Sequence, residues 1–193
     1  METRDRVLDA AAELMRTRGI LRTTTKEIAK AAGFSEATLY KHFRDKEELL
    51  LCVLRERMPG FARLEVTAGE GNVEDNVSRL IRGALEFYRE AFPMLGSLLS
   101  EPQLMAAHRE SIGRYDAGPQ HAVDRVAGYF RAERERGRIA AGTDPDAAAA
   151  LLAGACFQQA FLRYFAHGMD APPAPDALIT GLTQTLMRAL TPV

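Results

Sequence analysis

The residues best suited to chemistry lie in the segment Thr24–Phe43, TTKEIAKAAGFSEATLYKHF. Its hydroxyls and cations are the groups that reach phosphates, and its short polar side chains are the groups that reach base edges. Leu39 and Phe43 stand one helical turn apart and face inward, leaving Glu36, Ala37, Thr38, Tyr40, Lys41 and His42 to project the other way. Small and polar side chains near the start of such a helix can approach bases. The Tyr40 hydroxyl, the Lys41 ammonium and the His42 ring suit phosphates. A helix start near Asp45-Lys46 offers free backbone amides to a further phosphate. Tyr40 and His42 also have a plainer reading, as cover for the hydrophobic seam below them. Glu36 is acidic, so phosphate repels it unless it meets a cytosine amino group or solvent.

The elements that must hold these residues read as helix. Val7, Leu8, Ala11, Ala12 and Met15 recur at helical spacing, and Gly19 ends that helix. Thr24-Thr25-Lys26-Glu27 is a capping box, in which a Thr hydroxyl and a Glu carboxylate satisfy each other's orphan amides. Ile28, Ala29 and Ala32 form the inner face of a short second helix that Gly33 closes. Ser35 opens a third helix, expected to run through Phe43. Asp45 caps a fourth, with Glu48 at the box position. Its run Leu49–Leu54 is apolar all round and is expected to be buried on more than one side. Two short helices about the tight turn Gly33-Phe34-Ser35 have the geometry of a helix-turn-helix at about 24–43, whose first helix braces while the second enters the major groove.

On these residues the chain resembles the DNA-binding head of the tetracycline-repressor (TetR/AcrR) family. The resemblance covers residues 4–54: the helix Val7–Met15 with Gly19, then Thr24-Thr25, Ile28-Ala29, Ala32-Gly33, Ser35, Leu39-Tyr40, His42-Phe43, Lys46 and Leu49. It implies phosphate contacts from Thr25, Tyr40, His42 and Lys46, and base contacts from Lys26, Thr38 and Lys41. With Thr24, Ser35, Glu36 and Ala37 these make the candidate DNA-binding set. Position 37 is often glycine in the family and is alanine here, which still leaves room for close approach. The fold it implies is all-α: a three-helix N-terminal helix-turn-helix head over residues 1–58 and a C-terminal helical bundle over 59–193, about nine to ten helices in all. The function it implies is that of a homodimeric repressor on a palindromic operator of double-stranded DNA, released by a small effector.

After Met58-Pro59-Gly60 and a turn at Thr67–Asn72, helices are expected at about 74–92, briefly after Pro93, and at about 103–115, 120–137, 145–167 and 176–190. Helix 145–167 is small-residue-rich at first and aromatic later. It and helix 120–137 are expected to pair with their mates across a dimer. Candidate ligand-binding residues are Phe61, Tyr88, Phe92, Met94, Met105, His108, Ile112, Phe157, Gln158 and Phe161, since methionines and aromatics with a few polar groups line adaptable cavities. Any one of them is also ordinary core material. No Arg or Lys stands out as a buried counter-charge, which favours a neutral or lipophilic ligand.

Composition narrows the classes. With 47% hydrophobic and 26% charged residues, the 193-residue chain is globular rather than disordered. Its net charge of −1 argues against a purely architectural DNA binder, which relies on broad electrostatic attraction. Residues 1–58 nonetheless hold 12 Lys+Arg against 10 Asp+Glu, and all four lysines (Lys26, Lys30, Lys41, Lys46) fall in that part. There is no Gly-x-Ser-x-Gly, His-Glu-x-x-His, phosphate loop or dinucleotide fingerprint, so no enzyme and no cofactor is expected. His42, His108, His121 and His167 lack metal-ligand spacing. The rival class is a helical ligand-binding protein or enzyme with an accessory DNA-binding head. Cys52 and Cys156 read as buried thiols of a reducing compartment. The first residues, METRDRVLDAAAELM, carry scattered charges instead of an apolar signal core, and Ala147–Phe157 is too short to span a bilayer, so the cytoplasm is the expected location and no membrane the expected partner.

Overall fold

The computed structural model describes residues 2–19, 22–57, 66–113 and 118–191; the side chains of residues 54, 55, 97 and 111–113 fall outside that description. The regular structure of the described residues is nine α-helices and one 3-10 turn, with no strand. The helices are α1 Thr3–Arg18, α2 Thr25–Ala32, α3 Glu36–Leu39, α4 Lys46–Glu56, α5 Val73–Ser100, α6 Pro102–Gly113, α7 Pro119–Glu135, α8 Pro145–His167 and α9 Asp176–Leu190. They fall into two compact units, one of Met1–Pro59 with Glu90–Asp116 and the other of Gly60–Arg89 with Ala117–Val193.

The first unit is built on local signals that agree with one another. Val7, Leu8, Ala11 and Met15 form the buried stripe of α1. Gly19, at φ 80°, follows its last residue. The Thr24–Glu27 capping box starts α2, and Gly33 ends it in the left-handed region at φ 79°. A Cβ at Gly33 would stand 3.0 Å from an Arg6 nitrogen. That same nitrogen donates to the Ala32 carbonyl at 2.9 Å, and the guanidinium lies over the Phe34 ring. Ile28, Ala29, Leu39, Phe43, Leu49, Leu50, Cys52 and Val53 close one core with the α1 stripe, joined by Met94, Leu98 and Leu104. Leu49, Leu50, Cys52 and Val53 are all buried, as their all-round apolar run requires.

Two expectations need correction. The third helix does not run to Phe43. It ends at Leu39, and Lys41 and His42 donate to the carbonyls three residues back, from Thr38 and Leu39. The chain tightens there into a turn that still carries Phe43 inward. Pro93 does not end a helix either, because α5 runs through it from Val73 to Ser100. A proline in a helix forfeits the bond to the carbonyl four residues back, here that of Arg89. Burial of Ala91, Phe92, Pro93 and Met94 in one run offsets that loss.

In the second unit α7 and α8 pack closely, and α9 lies along α8. Ala148, Ala149, Leu152 and Cys156 of α8 share a core with Val77, Ile81, Ala84, Phe130, Ile139 and Ile179. Glu133 is fully buried and accepts from the Gly69 amide at 3.1 Å, with the Arg138 guanidinium 3.2 Å away. A buried carboxylate needs both partners to be tolerated. Asn76 donates to the Tyr129 hydroxyl at 3.1 Å, and burial raises the Tyr129 hydroxyl to about 12. Burial likewise pushes the Cys156 thiol up to about 12, so it is inert packing.

Candidate nucleic-acid interface

The segment 24–43 is organised by two inward anchors, Leu39 and Phe43, both essentially without exposed surface. The Arg4 guanidinium covers the Phe43 ring at 5.5 Å. With those anchors fixed, the opposite side of α3 and its following turn faces away from the core. Ala37, Lys41 and His42 are exposed there, with Thr24, Lys26 and Ser35. Tyr40 is 46% exposed although its ring is large and apolar. Thr38 and Glu36 are half-buried.

Several of these groups are already engaged. Ser35 caps α3 by accepting from the Thr38 amide at 3.2 Å, and the two hydroxyls lie 2.9 Å apart. Thr24 and Glu27 exchange the hydrogen bonds of their box. Those from the Thr24 hydroxyl and then its amide hold the Glu27 carboxyl below its usual range. Thr25 is buried, donates to Glu36 Oε1 at 2.5 Å, and accepts from the Tyr40 hydroxyl at 3.3 Å. Three of the expected residues, from two helices and a turn, therefore form one hydrogen-bond chain.

Lys46 is the first residue of α4, where unpaired amides of the first turn point outward. Asp45 caps that helix by accepting from the Glu48 amide at 2.8 Å. That bond, followed by the Arg44 side chain, holds the Asp45 carboxyl below its usual range. Arg44 was not among the expected residues. Its side chain is 81% exposed, pairs with Asp45 at 2.8 Å, and stands in sequence between His42 and Lys46. A third basic residue between two others was the signal available for it. The surface so assembled has donors and cations for an anion.

The ligand candidates fall in both compact units. Tyr88 and Phe157 meet edge to face, with ring centroids 5.3 Å apart. They share a cavity of about 370 Å3 with Gln120, Val123, Asp124, Asp146, Ala150, Ala153 and Gly154, at the small end of ligand-pocket sizes. Burial raises the Tyr88 hydroxyl above its ordinary value. Gln158 and Phe161 are exposed on α8. Phe92, Met94, Met105 and His108 belong to the other compact unit. Met94 is buried in the core of the head, and Met105 packs against it. His108 is half-buried, its Nδ1 has no hydrogen-bond partner among the described residues, and desolvation lowers its affinity for a proton. Phe61 and the side chain of Ile112 lie outside the described residues. Among the described residues no helix is long and apolar enough to cross a membrane, and no group of three His, Cys, Asp or Glu could hold a metal ion.

Residues 7–53 match the family of bacterial regulatory proteins described as the tetR family. Residues 97–180 match the C-terminal domain of AefR-like transcriptional repressors. The uncharacterized HTH-type transcriptional regulator YvkB of Bacillus subtilis is 28% identical over 166 residues, 86% of this chain and 82% of that protein. The HTH-type transcriptional regulator AcrR of Shigella flexneri is 46% identical over 48 residues, which is 25% of this chain and only 22% of that protein. Among solved structures, FadR of Bacillus subtilis in complex with stearoyl-CoA superimposes with a TM-score of 0.67 at 19% identity, covering 95% of this chain and 97% of that one.

Proposed function

The chain belongs to the tetR family of bacterial regulatory proteins, a family of transcriptional regulators and not of enzymes, and from that premise we propose how this repressor works. Two copies bind a palindromic operator in double-stranded DNA. Residues 1–58 serve as the DNA-binding domain, and residues 59–193 bind the effector and form the dimer. A small lipophilic molecule releases the operator, and the protein acts in the cytoplasm.

The observation that carries this reading is the exposure of Lys26, Ala37, Tyr40, Lys41 and His42 in a segment whose Leu39 and Phe43 are buried. Exposed polar and cationic groups on a helix-turn-helix segment are what base edges and phosphates require. The dimer is supported by α8, which exposes Leu151, Leu162 and Phe165, the last at 81%. Water-facing apolar groups in such a row mark an interaction face. The exposed residues of α7, by contrast, include Gln120, His121, Asp124, Arg125 and Arg131, so α8 contributes the apolar part. The lipophilic effector is supported by the Tyr88–Phe157 cavity, and by a solved relative of the same fold that holds stearoyl-CoA.

One experiment tests the core of it. Sequences retained by the full chain are selected from random DNA. The expected consensus is an inverted repeat whose half-sites are spaced by about one helical turn or a simple multiple of it. Retention without any consensus, or a consensus with a single half-site, would overturn the reading.

A further inference from the structure

The chain Tyr40–Thr25–Glu36 contains an acidic group that opposes an anion. An ionised carboxylate can only accept, so the proton in the 2.5 Å contact belongs to the Thr25 hydroxyl. That length is typical of a strong O–H···O⁻ bond. A Thr hydroxyl has one proton, so while Glu36 holds it Thr25 has nothing to donate to a phosphate. Tyr40 completes the arrangement by donating into Thr25 at 3.3 Å, which engages its own proton as well. Thr25 is only slightly exposed, and Glu36 and Tyr40 are its hydroxyl's partners in the folded chain. Among the described residues Glu36 makes no other side-chain hydrogen bond, and its Oε2 is left to accept.

We infer that Glu36 is a positioning residue that withholds the Thr25 hydroxyl from the DNA backbone until a base offers Glu36 a donor. The matching donor is the cytosine amino group in the major groove, to which carboxylates bind. On such a site the carboxylate turns to the base, and the Thr25 hydroxyl is released to donate to phosphate. On other sequences the carboxylate stays on Thr25, that hydroxyl stays occupied, and the carboxylate's charge faces phosphates. Base reading and backbone grip are thereby linked through one side chain. This rests on the DNA-reading head proposed above.

The test compares full-length parent, Glu36→Ala, Glu36→Gln, Thr25→Val and the Thr25→Val/Glu36→Ala double variant on a random-sequence duplex, by fluorescence anisotropy at fixed salt. Thermal melting checks that each is folded. Glu36→Ala is expected to bind the random duplex about threefold to tenfold more tightly, the worth of one hydrogen bond. Glu36→Gln keeps an acceptor for Thr25 without the charge, and should stay nearer the parent. In the Thr25→Val background Glu36→Ala should bring less than half of its gain on a logarithmic scale. Equal gains in both backgrounds, or Gln matching Ala, would reduce Glu36 to simple charge repulsion and overturn the inference. No gain at all would overturn it too. A parent that holds no duplex would instead overturn the DNA reading, and this inference with it.

Discussion

The Arg4 guanidinium forks onto the Glu56 carboxylate, its two terminal nitrogens lying 2.9 and 2.8 Å from the two oxygens. The pair ties the first turn of α1 to the last residue of α4, across 52 positions of sequence. Arg57 repeats the tie beside it, reaching Asp5 and Asp9 at 2.7 Å each. Together they hold α1 against α4 at the end of α4 from which the chain leaves the head.

Glu56→Ala should therefore destabilise the protein. Both side chains are partly exposed, so solvent screening limits the effect to about 1 kcal/mol despite the two-pronged geometry. For a chain of this length that is a drop in melting temperature of about 2–4 °C, read by circular dichroism. The drop should shrink in high salt. A loss that does not depend on salt would mean that packing of the side chain, and not its charge, holds the helices together.

Tyr40→Phe and Lys46→Ala should weaken operator binding while leaving the melting temperature within about a degree of the parent, since neither is a core residue. Tyr40→Phe should cost about threefold to tenfold in affinity, one hydrogen bond. Lys46→Ala should in addition lower the slope of log affinity against log salt by about one unit. A salt titration of each variant against the selected operator measures both, and an unchanged slope would remove Lys46 from the phosphate contacts.

Lys41→Ala should shift sequence preference as well as affinity, because Lys41 is exposed on the outward side of the turn after α3. A direct base contact discriminates by about 1–3 kcal/mol. Repeating the selection from random DNA with the variant should flatten one position of each half-site. An identical consensus would assign Lys41 to the backbone.

Asp45 gives the head an acid-sensitive joint. Its carboxyl lies below the usual range in the folded chain because it accepts the Glu48 amide and the Arg44 side chain. A depressed folded value means that the stabilisation is present above the unfolded-state value of 3.8 and is lost as pH falls through the folded one. Asp45→Ala should cost about 1 kcal/mol near neutral pH, the usual worth of a helix cap. Asp45→Asn should keep most of the cap. Urea midpoints from pH 7 downward should fall less steeply for Asn than for Asp, and parallel curves would exclude the carboxylate as a source of the acid sensitivity.

Phe165→Asp should separate the proposed dimer without unfolding its subunits, since the ring is 81% exposed within one chain. Light scattering should give the mass of one chain. Operator binding should fall by about a hundredfold or more, because two heads no longer act as one ligand. A variant that stays dimeric would move the interface off this part of α8.

The sequence by itself determined the caps and the inward faces of the head. Thr24 with Glu27, Asp45 with the Glu48 amide, and Gly33 all act within one helical turn, so their geometry follows from residue type and spacing alone. Leu39 and Phe43 were legible for the same reason. The row of outward residues in the head then followed by exclusion. Only the tertiary structure decided matters that depend on partners far along the chain. Pro93 stays within α5 because buried neighbours offset its lost bond. Met94 joins the core of the head. Glu36 turns to Thr25, eleven residues away, which no periodicity encodes. A helical repeat says which side of a helix is apolar, but what that side or its opposite meets depends on how the chain closes on itself, and that closure is set by all the packed elements together.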